Sequence, residues 1–397
     1  MPVWHERTRQ WVEAGRLHLV GVTQEQHPER CQLFAQWRQF DWPILHDPIN
    51  VLATTAVPIF VALDEHGVVR MIGPRADRFE EDFINRTFDP PDVTADALPA
   101  PLTISTGEDI ASLQQTAEEK NTAIAWRRYA DGLALWQTSD IDRAIDAYTR
   151  ALELSPDDGA ARFRLGVCYR LRHDGTNRQP GDFQEAVDAW SAALALDPNQ
   201  YIWRRRIQQY GPRLDKPYPF YDWVARAQDE IRERGEEPIA LAVEPYGAEL
   251  AAPSRTFIDE SLDEVPPASD GRIARDTQQH VRAEVAVVPA RVPAGQSVRV
   301  HVTFFPSESG AASWHNESEP LRLWVETPNG WQRHAAEQPL EIESSETRRL
   351  DFEVQIPADT QSSLRLNAYA LYWTCREADG VCAYLRQDLP IEIRVSE

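Results

Sequence analysis

Between residues 125 and 210 the apolar positions recur at steps of three and four, the spacing of one face of an α-helix. Ahead of that stretch short apolar runs alternate with amphipathic segments, and beyond residue 281 the period drops to two. A chain of 397 residues is too long for one compact core, so this succession predicts a multidomain protein. The expected organisation is an α/β region over 1–88, a linker and helix start over 89–121, helical repeats with capping helices over 122–235, an acidic Pro-rich linker over 236–280, and an antiparallel β-sandwich over 281–397.

The stretch 125–156 reads as two antiparallel helices. Gly132 stands where the first helix must let its partner approach, Ala144, Tyr148 and Ala151 follow at helical spacing, and Pro156 closes the unit. The next unit repeats the pattern with Gly166, Tyr169, Ala186, Trp190, Ala193 and Pro198. The Ala-to-Pro distance is 12 residues in both units, whereas the Gly-to-Ala distance is 12 in the first and 20 in the second. The extra length falls in the turn-rich stretch 172–181, an insertion that lengthens one loop and leaves helix stacking intact. Small residues at the crossing points and a closing proline resemble the tetratricopeptide repeat family over about a quarter of the chain. That resemblance implies an all-α repeat domain with a protein or peptide partner.

Two repeats cannot bury both their faces and need a cap. The segment Tyr201–Tyr210, apolar at Trp203, Ile207 and Tyr210 and stopped by Gly211-Pro212, can supply one, and 216–223 after it is unusually aromatic. Two readings compete. In one, Arg204, Arg205 and Tyr210 line a groove for an acidic or carboxylate-bearing peptide. In the other, Trp203, Tyr210, Phe220 and Trp223 form a capping core and the arginines pair with nearby acids. Adjacent arginines on a helix point about 100° apart, so at most two of Arg204, Arg205 and Arg206 face one groove.

The first 88 residues predict a helix over 4–15, a buried strand over 17–22, a helix over 28–40 with Cys31, Phe34 and Trp37 inward, a strand after Val57-Pro58, a tight turn at Asp64-Glu65-His66-Gly67, a returning strand, and a helix over 77–85. This order resembles the thioredoxin superfamily. There the residue matching Pro58 is a cis-proline beside the active site, and the resemblance implies that role here. A thioredoxin fold also opens with an inner strand followed by a CxxC. This chain opens at the helix, so strand and dithiol would fall ahead of Met1, on an upstream segment or lost from a non-catalytic remnant. Cys31 reads as a core thiol.

Composition narrows the functions. A formal charge of −22 without a basic stripe argues against nucleic-acid binding. No apolar run approaches the ~20 residues of a bilayer span, and the charged start is not a secretory signal, so the expected location is cytoplasmic as written, or the envelope or periplasm if translation starts upstream. The four cysteines Cys31, Cys168, Cys375 and Cys382 form no CxxC or zinc-ligand spacing, so neither metal nor cofactor is expected. No serine elbow or phosphate loop suggests hydrolase or transferase chemistry.

Near the end, Cys375 and Cys382 flank a short Gly-containing turn before a Pro-containing strand. This resembles the immunoglobulin-like amino-terminal domain of the membrane disulfide reductases, whose cysteine pair exchanges electrons with thioredoxin-like proteins. The resemblance implies a redox role for Cys375 and Cys382 and a thioredoxin-like partner; a structural disulfide and two free thiols are the alternatives. The function expected is a protein-binding adaptor attached to a thiol-redox system, with thiol-disulfide exchange at this pair as the alternative.

Overall fold

The computed structural model describes residues 2–90, 107–136, 140–216, 218–245, 249–251, 260–261, 271–307, 312–376 and 381–396. Pro91, Pro99 and Pro101, Pro217, the acidic stretch 263–267 and the turn 377–380 lie outside the described residues. The chain gathers into two compact units. One is Met1–Leu171 with Ala193–Arg204 and Trp223–Glu244; the other is Arg172–Ala192 with Arg205–Asp222 and Pro245–Glu397.

The first unit opens with α1 (Pro2–Glu13), β1 (Gly21–Thr23), α2 (Pro28–Arg38), β2 (Ile44–His46), β3 (Val61–Leu63), β4 (Val69–Ile72) and a π-helical turn at Glu80–Ile84. β1 and β2 pair in parallel, and β3 and β4 pair antiparallel. Among the described residues no strand joins the two ribbons. Trp11 of α1 is buried with Ala62, Phe79 and Phe83, and Trp4 stacks on Phe60 with ring centroids 5.2 Å apart. His5 of the same helix meets the Trp42 ring at 4.8 Å.

Side chains alternate across a strand, so Ala62 is buried while Val61 and Leu63 on either side of it are exposed. The same alternation corrects the expectation of a buried strand over 17–22. The strand is only Gly21–Thr23, and Val20 and Val22 are 56% and 45% exposed, because a two-stranded ribbon has no third strand to widen its covered face. Cys31 is half-buried rather than fully inside, and burial pushes its thiol up, opposed by a hydrogen bond with the Thr23 side chain.

Asp64 organises the β3–β4 turn. Its Oδ1 accepts the backbone N–H groups of His66 and Val68, both at 2.9 Å, and its Oδ2 accepts Arg70 Nε at 2.6 Å. Gly67 takes the positive φ of 74° that closes the turn. Burial works against ionisation of Asp64, but the Val68 N–H and Arg70 outweigh it and hold the carboxyl below the usual carboxylate range. A depressed folded pKa gives stability that is full above the unfolded value of about 3.9 and lost as pH falls through the folded one. Asp64→Asn is therefore expected to lower stability at neutral pH, with the difference from wild type closing in acid. Urea midpoints across pH check this, and a gap unchanged in acid would show that the carboxylate charge is not the cause.

The helices follow as α3 (Gly107–Lys120), α4 (Ala123–Trp136), α5 (Ile141–Leu154), α6 (Gly159–Asp174), α7 (Asp182–Leu196), α8 (Tyr201–Tyr210) and α9 (Val224–Glu233). α5 shows why they form: Ile141, Ala144, Ile145, Tyr148 and Ala151 make one apolar stripe, and all five are buried. α3, expected as linker and helix start, packs on α4; its Ile110 and Ala117 are buried and Tyr129 donates to Gln114 Oε1 at 3.2 Å. It covers an apolar face that a terminal repeat would otherwise expose. In the same unit the Trp203 ring lies parallel to Phe163 at 5.9 Å, over Gly159, where a Cβ would come within 2.8 Å of the indole.

Trp223, one of the four aromatics of the expected cap, is placed differently. It stacks on Trp37 of α2 at 5.8 Å and 6°. Further contacts tie the same segment to α2: Trp37 Nε1 donates to Glu230 Oε2 at 2.6 Å, and the buried Arg30 donates to the Val243 carbonyl at 3.0 Å. An aromatic platform on α2 offers Trp223 a flat partner, and residues 223–244 fold onto it.

The second unit is sheet-rich. Its strands are β5 (Glu260–Ser261), β6 (Ala274–Arg275), β7 (Val281–Val288), β8 (Val292–Pro293), β9 (Ser297–Pro306), β10 (Ala312–His315), β11 (Arg322–Thr327), β12 (Gly330–Ala335), β13 (Glu343–Ser344), β14 (Arg348–Gln355), β15 (Ser363–Leu366), β16 (Ala368–Arg376), β17 (Val381–Asp388) and β18 (Ile391–Ser396). One eight-stranded sheet runs β13-β10-β16-β11-β12-β5, with β17 on the other side of β16 and β6 beyond it. Two three-stranded sheets, β14-β9-β7 and β15-β18-β8, accompany it. Most pairings are antiparallel; β17–β6 and β18–β8 are parallel.

Val298, Val300, Val302 and Phe304 of β9, Phe352 and Val354 of β14, Leu323 and Val325 of β11, Ala370 and Tyr372 of β16, and Ile391 and Ile393 of β18 share one core. The single strand read over 364–370 is two, broken at Asn367, and the second continues to Arg376. Its outer face carries a smaller core of Trp324, Tyr369 and Leu371, which erases the two-residue alternation there. In this unit α7 and α8 also contribute: Tyr210 stacks on Trp190 at 5.7 Å and 4°, and the Tyr210 carbonyl lies 2.7 Å from His301 Nε2.

Candidate functional site

The repeat residues Ala144, Tyr148, Ala186 and Trp190 are fully buried, and Gly132 and Gly166 are also buried. Pro156 and Pro198 stand in the turns after α5 and α7. Behind this apolar register lies a polar cluster that periodicity does not single out. Arg164 of α6 donates through Nη1 to both carboxylate oxygens of Asp131 of α4, at 2.8 and 2.7 Å. The Tyr148 hydroxyl donates to Asp131 Oδ1 at 2.7 Å, and the guanidinium also reaches the backbone carbonyls of Ile49 and Asn50 at 3.2 and 3.3 Å. Burial, and then the charge of Asp131, push the Tyr148 hydroxyl well above its usual range. In the segment 47–54, residues 47–50 are buried, while Leu52 and Ala53 are exposed. Asp47 shapes it by accepting the N–H groups of Val51 and Leu52 at 2.8 and 3.3 Å. The only sequence signal for this cluster is a charge at Asp131 between the buried Ala130 and Leu133.

The residues expected to bind a peptide divide. Arg204 is exposed and donates to the Pro198 carbonyl. Arg205 lies over the Phe220 ring, 3.8 Å from its centroid. Tyr210 is 1% exposed, so its ring packs the cap and is not offered to a ligand; the aromatic face it would have presented is taken by Trp190 and by Phe183 at 5.2 Å. Pro58 is exposed and its bond to Val57 is cis.

In the second unit Cys375 and Cys382 are direct register partners on β16 and β17 and form a disulfide, with Cα atoms 4.0 Å apart. Cys375 is 3% exposed, whereas Cys382 is open to solvent. On the other edge of β16, Cys375 faces Ser313 of β10. His315, two residues further on, therefore lies on the same face of the sheet. His315, Cys375 and Cys382 bring one ring nitrogen and two sulfurs within 4.8 Å of one another. His315 Nδ1 is 2.9 Å from Ser318 Oγ, and its register partner Glu343 accepts the Ser313 hydroxyl at 3.1 Å. Trp373 and Tyr384 continue this face with ring centroids 5.2 Å apart. Sequence spacing missed His315 because the sheet, not the chain, brings it to the cysteines. Among the described residues no helix is long and apolar enough to cross a membrane.

No curated protein matches the chain. Solved structures similar to parts of it include an X-ray structure of a structural-genomics target, SoR45, 15% identical over 29% of this chain and 87% of that one, with a TM-score of 0.19. The sporulation control protein Spo0M from Bacillus subtilis is 11% identical over 30% of this chain and 50% of its own, with a TM-score of 0.18. The C-terminal domain of wzt is 12% identical over 34% and 89%, with a TM-score of 0.15. Similarities of this size carry no argument about this chain. The family model for the tetratricopeptide repeat matches residues 129–201.

Proposed function

We propose that this chain is a protein-binding adaptor whose helical repeats recruit a protein or peptide partner and are attached to a thiol-redox system. The repeat match over residues 129–201 carries the reading, since stacked helix pairs of this type present side-chain surfaces for recognition. The α/β segment 1–88 is proposed as a thioredoxin-like domain. The succession of helix, strand, helix and antiparallel ribbon supports that assignment. With Tyr210 in the cap, the exposed Arg204 is left as the strongest basic anchor for a carboxylate-bearing segment.

Short peptides ending in a free carboxylate, acidic or neutral, test this by fluorescence anisotropy on the full chain. Acidic-ended peptides are expected to bind, and Arg204→Glu to weaken them at least about tenfold, a change of about 1.4 kcal/mol. Binding that ignores peptide charge, or survives the charge reversal, would remove Arg204 from the role.

A second reading, thiol-disulfide exchange with a thioredoxin-like partner, is favoured by the disulfide itself, one of whose cysteines, Cys382, is an exposed residue of the sheet-rich unit. Trapping thiols by alkylation at controlled redox poise decides it. A pair that stays oxidised below about −300 mV is structural.

A further inference from the structure

We propose that reduction of the Cys375–Cys382 bridge creates a thiolate–imidazole metal site, with Cys375, Cys382 and His315 as ligands to one thiophilic divalent cation such as zinc. The inference rests on the placement of these three side chains and does not need the adaptor reading.

Three separate strands supply the ligands: β10 gives His315, β16 gives Cys375 and β17 gives Cys382. Their sulfur and nitrogen atoms already lie within 4.8 Å of one another. Metal–sulfur bonds of about 2.3 Å and metal–nitrogen bonds of about 2.0 Å place tetrahedral ligand atoms roughly 3.5–3.8 Å apart, so small side-chain rotations suffice. The Ser318 hydroxyl lies 2.9 Å from His315 Nδ1, a hydrogen bond of the kind that orients a histidine ligand. Three protein ligands leave a fourth position for water or an incoming group.

The bridge gates the site. While the sulfurs are joined, neither is a thiolate. A dithiol reductant, attacking as its thiolate, bonds to the sulfur of Cys382, the exposed residue of the pair. The S–S bond breaks and Cys375 leaves as a thiolate. The second thiol of the reductant then displaces Cys382, so the reductant leaves as a disulfide having given two electrons and two protons. The cation replaces the two thiol protons, which pass to solvent, as it forms two metal–sulfur bonds and one metal–nitrogen bond.

The test uses the full chain reduced with a thiol-free phosphine and titrated with Co²⁺ without oxygen. One equivalent is expected to bind with sulfur-to-cobalt charge transfer and tetrahedral absorption, with displacement by Zn²⁺. The oxidised chain is expected to give no such spectrum. Cys382→Ser should abolish the spectrum of the two-sulfur site, and His315→Ala should weaken binding at least about tenfold and shift the bands. Cys31→Ser and Cys168→Ser should leave it unchanged. Circular dichroism establishes that each variant is folded before titration. Octahedral cobalt without charge transfer, a signal that survives oxidation or Cys382→Ser, or an unchanged signal in folded His315→Ala would each overturn the proposal.

Discussion

Asp131→Ala is expected to destabilise the helical repeats by about 3–5 kcal/mol, because it leaves the Arg164 guanidinium buried without its counter-charge. Arg164 and Asp131 side chains are 8% and 6% exposed, and two short bonds join them. Desolvation works against the charged guanidinium, yet the neighbouring carboxylate keeps it more firmly protonated than usual. The same substitution strips the buried Tyr148 hydroxyl of its acceptor. Its damage extends to the segment whose Ile49 and Asn50 carbonyls Arg164 also holds. Replacing both charges together, as Asp131→Leu with Arg164→Met, is expected to recover most of the loss, since a well-filled apolar pair of similar volume needs no counter-charge. Urea unfolding followed by far-ultraviolet circular dichroism measures all three chains. A single-variant loss below about 1 kcal/mol would mean that water reaches the guanidinium and solvates it.

Trp190→Ala is expected to cost a comparable amount, about 3–5 kcal/mol, for a different reason: it opens a cavity. Trp190 is fully buried, and Tyr210 stacks flat against it. Its indole N–H has no hydrogen-bond partner among the described residues. Trp190→Phe therefore forfeits packing without a polar bond and should fall well short of the alanine loss. The denaturant midpoints of the two variants give the comparison. Equal losses would show that the indole N–H or its exact outline matters more than the volume it fills.

The parts of the fold that local chemistry dictates could be read directly. Ala144, Ala151, Ala186 and Ala193 recur at helix crossing points, and all four are fully buried. In β9 and β14 the alternating Val, Leu and Phe residues face one core. The reading failed where a second surface altered the pattern. β16 is apolar on both faces because Trp324, Tyr369 and Leu371 build a core on its far side, so its extent to Cys375 was hidden. In β1, apolar composition suggested burial, yet composition carries no information about how many strands will flank it. The candidate sites divide the same way. The Cys375 and Cys382 pair shows in its spacing, while His315, Asp131 and Arg164 become partners only through sheet register and helix packing.

The bond between His301 and the last carbonyl of α8 has a consequence for how this family of arrangements can diversify. In open-ended repeat arrays a gene duplication adds another unit of about 34 residues at the end, because the exposed terminal face accepts it. Here the end of α8 is spent on a strand of the sheet-rich unit, and Tyr210 fills the space next to Trp190. A duplicated unit inserted after Pro198 would have to unseat both. Length variation is instead admissible between α6 and α7, where Arg172 and Asp182 pair at 2.7 Å across the base of the long loop and hold it shut whatever its size. Among homologous sequences, insertions are expected to accumulate in that loop, with the number of repeats held constant.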